Sequence, residues 1–150
     1  MELKNVKQRP NLKEDKKYTQ FKHLIDELGT KELPIEIIDK VNIHIDLVNS
    51  IPDSDSEFGK KIKKIQTNIL KLLEKELKIV TKNHYRNIWL AVGMSAFGVP
   101  LGVVFGLVMD NMALLAIGLP IGMVLGLAYG TSLDKKAQEN GNQLDVEIKY

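Results

Sequence analysis

The chain has 150 residues, with 21 basic and 19 acidic side chains, a net charge of +2 and no cysteine. That length holds one small domain beside any membrane element. The near balance of charge implies no strong polyelectrolyte partner, and the missing cysteine excludes disulfides, thiolate metal sites and cysteine nucleophiles.

Residues 1–17 are polar, include Pro10, and are expected to form a disordered N-terminal arm. Tyr18, Phe21, Leu24, Ile25 and Leu28 then recur at helical spacing, and Gly29 follows as a stop. Pro34 suits the first turn of a second helix, on which Ile38, Val41, Ile45 and Val48 form a stripe. In the same stretch Val41, Ile43, Ile45 and Leu47 alternate with Asn42, His44 and Asp46, as they would in a strand. Helix is favoured because the longer period reaches back to Ile37.

Pro52 opens a loop, and Ser54 with Glu57 has the spacing of a capping box. Phe58, Ile62, Ile65, Ile69, Leu72, Leu73, Leu77 and Val80 predict a third helix that reaches about Val80 and runs on toward the apolar region. Its opposite face carries Lys60, Lys61, Lys63, Lys64 and Lys71. Residues 18–82 thus read as a small cytoplasmic helical domain. A core of that size is marginal, so some apolar face is left for a protein partner, a second copy or a bilayer surface.

Residues 88–133 carry a single formal charge, Asp110. A hydrocarbon core needs about 20 apolar helical residues to cross it. Asp110 and Asn111 divide the run into two such lengths, 88–109 and 112–133, joined by a polar turn. The first long apolar run begins only at residue 88, so no cleavable leader is expected. Basic residues cluster before the first span and at Lys135 and Lys136 after the second, which places both termini in the cytoplasm. Tyr85, Arg86, Trp89 and Tyr129 then fall at the cytoplasmic interface with those two lysines. Residues 134–150 form a cytoplasmic tail whose end, from Leu144, alternates apolar and polar as an extended segment that needs an edge to pair with. The predicted class is all-α: a two-helix transmembrane hairpin preceded by about three soluble helices and followed by a short extended tail.

The glycines of the run are ordered. Gly98, Gly102 and Gly106 are four apart, as are Gly118, Gly122, Gly126 and Gly130, so each span carries a face without side chains. A 20-residue repeat aligns AFGVPLGVVFGL at 96–107 with AIGLPIGMVLGL at 116–127, and the two copies run in opposite directions. Pro100 and Pro120 are equivalent in it, and each is expected to kink its helix by freeing the carbonyl of Ala96 or Ala116. Reflecting the hairpin about its turn sets the second span's glycines against Ala91, Ser95, Gly98 and Gly102, and leaves Gly106 and Gly93 free for association.

The glycine and proline pattern around Pro100 and Pro120, ending GTSLDKK at 130–136, resembles the bacterial glycine-zipper two-helix membrane proteins, in particular small Bacteroidetes-type members. The likeness covers about residues 85–150. It implies a bacterial membrane protein with a two-helix hairpin and brings no catalytic residue with it. The chain lacks the cysteine of a lipoprotein.

Chemistry is sparse in the sequence. His23, His44 and His84 are scattered, no phosphate loop follows a strand, and Glu74 and Glu76 do not share a helix face. No cofactor, no metal and no catalytic group is expected. The basic run at Lys60–Lys64 has no interleaved aromatic residue, so no nucleic acid is expected. Three readings stay open: a non-enzymatic inner-membrane anchor for the helical domain that self-associates, an oligomeric pore, and an accessory subunit that binds another protein.

Overall fold

The computed structural model describes residues 2–12 and 15–148. The chain divides into two compact units, one of Met1–Thr81 with Leu144–Tyr150 and one of Lys82–Gln143. Both are mostly helical.

The first unit is built on helices α1 (Lys16–Leu28), α2 (Ile35–Ser50) and α3 (Phe58–Leu77). Asp15 starts α1 by accepting the N–H groups of Lys17 and Tyr18, at 2.8 and 3.0 Å. Helix α1 then buries Tyr18, Phe21, Leu24, Ile25 and Leu28. The ambiguous second segment is a helix. Its 3.6-residue set Ile37, Val41, Ile45 and Val48 is buried, whereas Ile43 and Leu47, needed inside by a strand, are 60% and 50% exposed. Phe58, Ile62, Ile69 and Leu73 of α3 complete the core.

Several boundaries differ from expectation. Ser54 and Glu57 make no capping box. Glu57 is the N-cap residue but its side chain caps no N–H, and Asp55 accepts the N–H of Glu57 at 2.8 Å. Helix α3 stops at Leu77 because Lys78 turns left-handed (φ 57°), and it does not run into the apolar region. Strand β1 (Val80–Thr81) pairs there with β2 (Gln143–Leu144). The tail finds in β1 the edge it requires, and Leu144, Val146 and Ile148 are buried. Lys149 and Tyr150 lie outside the described residues.

The Asp55 carboxylate is held below its ordinary value of 3.8, first by its hydrogen bond from Lys61 and then by the Glu57 N–H, and Lys61 is raised in turn. A depressed carboxylate stabilises the fold above 3.8 and loses that contribution as pH falls through its folded value. NMR titration should therefore give Asp55 a midpoint below 3.8, with amide protection in the first turn of α3 lost in the same acid range. A midpoint at or above 3.8 would contradict this.

Residues 2–9, expected to be part of a disordered arm, are hydrogen-bonded to other elements. They run along α2, and the reason is the pair Asn42 and Asn49, seven residues apart and so on one helix face. Asn42 accepts the N–H of Lys4 at 2.7 Å and donates to the carbonyl of Glu2 at 3.2 Å. Asn49 repeats this with Lys7 and Asn5, at 2.8 and 3.1 Å. Val6 is buried, and so is Arg9, whose guanidinium donates to Asp53 and to the carbonyls of Val48 and Asn49 at the end of α2. Composition alone reads this arm as unfolded. The side chains that hold it belong to another element.

Candidate functional site

The second unit is a hairpin of α4 (His84–Val108) and α5 (Leu115–Glu139). Its seam is made of backbone. A Cβ built on Gly118 would stand 2.6 Å from the Cα of Gly102, and one on Gly122 would stand 2.6 Å from the Cα of Gly98. One on Gly126 would meet the carbonyl carbon of Trp89 at 2.8 Å, and one on Gly130 the Cα of Arg86 at 2.6 Å. No side chain fits at those separations, so each glycine permits the approach that the seam requires.

The seam matches the expected register near the turn and departs from it farther down. Gly98 and Gly102 face Gly122 and Gly118. Ala91 and Ser95 do not continue the stripe; both are exposed, and Gly93 is buried against Gly126 instead. The cause is a π turn at Met94–Gly98, in which the N–H of Val99 bonds to the carbonyl of Met94. Pro100 has no N–H to give the ladder, and the slip comes just before it. One extra residue in the turn rotates everything N-terminal to it, so the face passes from Gly98 to Gly93, five residues back. Gly106 is not spare either. It is buried against Met112, whose Sδ lies 3.1 Å from a Cβ built there.

The two equivalent prolines therefore have different surroundings. Pro120 sits inside a continuous α5, with no counterpart of the π turn. The widened turn precedes Pro100 alone.

Asp110 and Asn111 form the turn through backbone geometry. Asp110 takes a left-handed conformation (φ 48°), its N–H reaches the Leu107 carbonyl at 3.4 Å, and the Asn111 N–H reaches the Gly106 carbonyl at 2.9 Å. This pattern ends a helix and is usually built on glycine, with Asp or Asn as tolerated alternatives. The Asn111 side chain then accepts the N–H of Ala113 at 3.1 Å, starting the return.

At the other end Trp89 and Tyr129 meet edge to face, with centroids 4.4 Å apart. Tyr85 and Arg86 are half-buried, and Lys135 and Lys136 are exposed, Lys135 pairing with Glu139 at 3.8 Å. One residue of this end escaped the sequence reading. Asp134 is 7% exposed, and its carboxylate accepts the N–H groups of Tyr85 and Arg86, at 3.0 and 2.9 Å. Those are donors of the first turn of α4, which no α-helix satisfies internally. A signal for it existed: Asp134 is the next member of the series Gly118, Gly122, Gly126, Gly130. The position that ends the small-residue face carries the group that caps the opposite helix.

The outer surface of the hairpin is apolar. Val104, Leu107, Val108, Ile117, Val124 and Leu125 are exposed. The hydroxyls of Ser95 and Thr131 bond to carbonyls one turn back, Ala91 at 2.9 Å and Leu127 at 2.7 Å. Among the described residues no three His, Asp or Glu side chains gather as a metal site would need. His44 bonds the Lys40 carbonyl, and His84 packs edge-on against Tyr85.

No family model matches this chain, and no match is found among curated proteins or solved structures. Both long helices are apolar and long enough to cross a membrane.

Proposed function

We propose that the hairpin crosses a bacterial inner membrane twice, in the manner of the glycine-zipper proteins, and is a non-enzymatic anchor for the small helical unit, with both termini in the cytoplasm. The observation that carries this reading is the hairpin's inverted distribution of side chains. Its glycines are inside and its large apolar side chains outside, and only 22% of the most apolar stretch of each helix is buried. In water, helices pack by hiding Leu, Val and Phe. A pair that hides glycine and exposes those residues suits a solvent of hydrocarbon, where close backbone packing drives association.

The charge pattern supports the orientation. Lys82, Arg86, Lys135 and Lys136 flank the open end, while the turn end carries Asp110 and no basic residue. The pore reading asks the glycine faces to pack between subunits. Here those faces are occupied within one hairpin, which favours the anchor.

Alkaline carbonate washing of membranes should leave the protein in the pellet. Because the chain has no cysteine, single cysteines report topology cleanly. Asn111→Cys should react with an impermeant maleimide added from outside the inner membrane, and Asn140→Cys should react only after permeabilisation. Release by carbonate, or the opposite labelling, would sink the proposal.

A further inference from the structure

The way α2 holds the N-terminal arm is a way of holding a peptide. Asn42 and Asn49 read four backbone groups: the carbonyls of Glu2 and Asn5 and the N–H groups of Lys4 and Lys7. Seven helical residues advance about 10.5 Å, and three extended residues about 10 Å, so the two amides fall in step with an extended strand. Helix α2 therefore offers the arm what a sheet edge offers an added strand, bonds to main chain in a repeating register.

Sequence preference enters at two points. Val6 is buried, and Arg9 is 2% exposed. The Arg9 guanidinium reaches Asp53, lies 3.0 and 3.1 Å from the Val48 and Asn49 carbonyls, and stands 5.0 Å over the Phe58 ring. Carbonyls at a helix C-terminus, a carboxylate and an aromatic face make a socket specific for a guanidinium. Lys4 adds an exposed pair with Asp46 at 2.6 Å.

None of these bonds requires the arm and α2 to belong to the same chain. We propose that this seat is exchangeable, and that its second occupant is residues 2–9 of another copy of the protein. The partner is fixed by the seat itself: a strand with a small apolar side chain and an arginine three residues on, which every copy carries. Exchange keeps each bond between residues 2–9 and the seat, the low-cost route to a dimer. With Gly93 and Gly106 both buried in the hairpin, the arm also supplies a self-association surface that the small-residue faces do not. This goes beyond the anchoring role and stands whether or not the hairpin lies in a bilayer.

Zero-length carbodiimide coupling tests it, because Lys4 and Asp46 are already in contact. Two full-length versions are co-expressed, one with Lys4→Arg and one with Asp46→Asn. Neither can couple 4 to 46 within itself, so any such crosslink joins two chains. The expected result is a Lys4–Asp46 crosslinked peptide from the mixture, found by mass spectrometry. Adding Arg9→Ala to both chains should lower its yield by about tenfold or more, since charge-assisted bonds hold the anchor. Absence of the crosslink in the mixture, while the unaltered chain couples readily, would overturn the proposal. A crosslink that persists undiminished with Asn42→Ala and Asn49→Ala would overturn it too, because contact would then not depend on the seat.

Discussion

Gly122→Leu will force α4 and α5 apart. The first atom of the new side chain would lie 2.6 Å from the Cα of Gly98, and it is backbone, not a movable side chain, that stands in the way. Overpacking a well-filled core costs about 1–3 kcal/mol when neighbouring side chains can shift. Here they cannot, so the loss should reach the upper end of that range. The hairpin should open, not merely soften. Spin labels at the outward positions Ile88 and Ala128 should report a longer and broader distance between the helices. Val124→Leu, on the exposed face, is the control and should leave the distance unchanged. An unaltered distance in Gly122→Leu would mean that the seam is not where the structure has it.

Asp134→Ala should be the second large effect. It strands the part-buried Tyr85 and Arg86 N–H groups at the start of α4. An unsatisfied buried donor costs about 1–3 kcal/mol, and part-buried donors, which water can reach, lie toward the lower half of that range. A combined loss of about 3 kcal/mol is expected in reversible unfolding. Hydrogen exchange at Tyr85 and Arg86 should rise sharply while exchange in the middle of α5 changes little. Asp134→Asn keeps an accepting oxygen without the charge and should show roughly half the loss. Unchanged protection at both amides in Asp134→Ala would remove the cap from the account.

Both expectations rest on the series of small residues four apart, which is plain in the sequence. What the sequence did not disclose is how the series continues. On the second helix it runs regularly from Gly118 to Gly130 and ends on Asp134, because α5 is one unbroken α-helix. On the first helix it reaches Gly98 and steps by five to Gly93. An ideal period carries the face to Ser95 and Ala91 instead. The five-residue step is the trace of the π turn, which lies just before Pro100. Pro120, flanked by Leu119 and Ile121 where Pro100 has Val99 and Leu101, lies within an unbroken helix.

The helices of the first unit were legible for a simpler reason. Their apolar stripes are long enough to decide between periods, as Ile37, Val41, Ile45 and Val48 do on α2. The ends were less legible, since Lys78 and Asn83 adopt left-handed conformations at residues that only tolerate them. The arm was least legible of all. Its order depends on Asn42, Asn49 and Asp53, some 40 residues away in sequence, and no local pattern in residues 2–9 announces a partner at that distance.

The anchor reading and the seam meet in a single requirement: hydrocarbon must touch the large side chains and not the glycines. Photolabelling of the native protein by a lipid with a photoactivatable group in its acyl chain measures this directly. Adducts are expected on Val104, Leu107, Val108, Val124 and Leu125, and none on Gly98, Gly102, Gly118 or Gly122. Adducts on those glycines would reverse the hairpin's faces, and an unlabelled hairpin would place it outside the membrane.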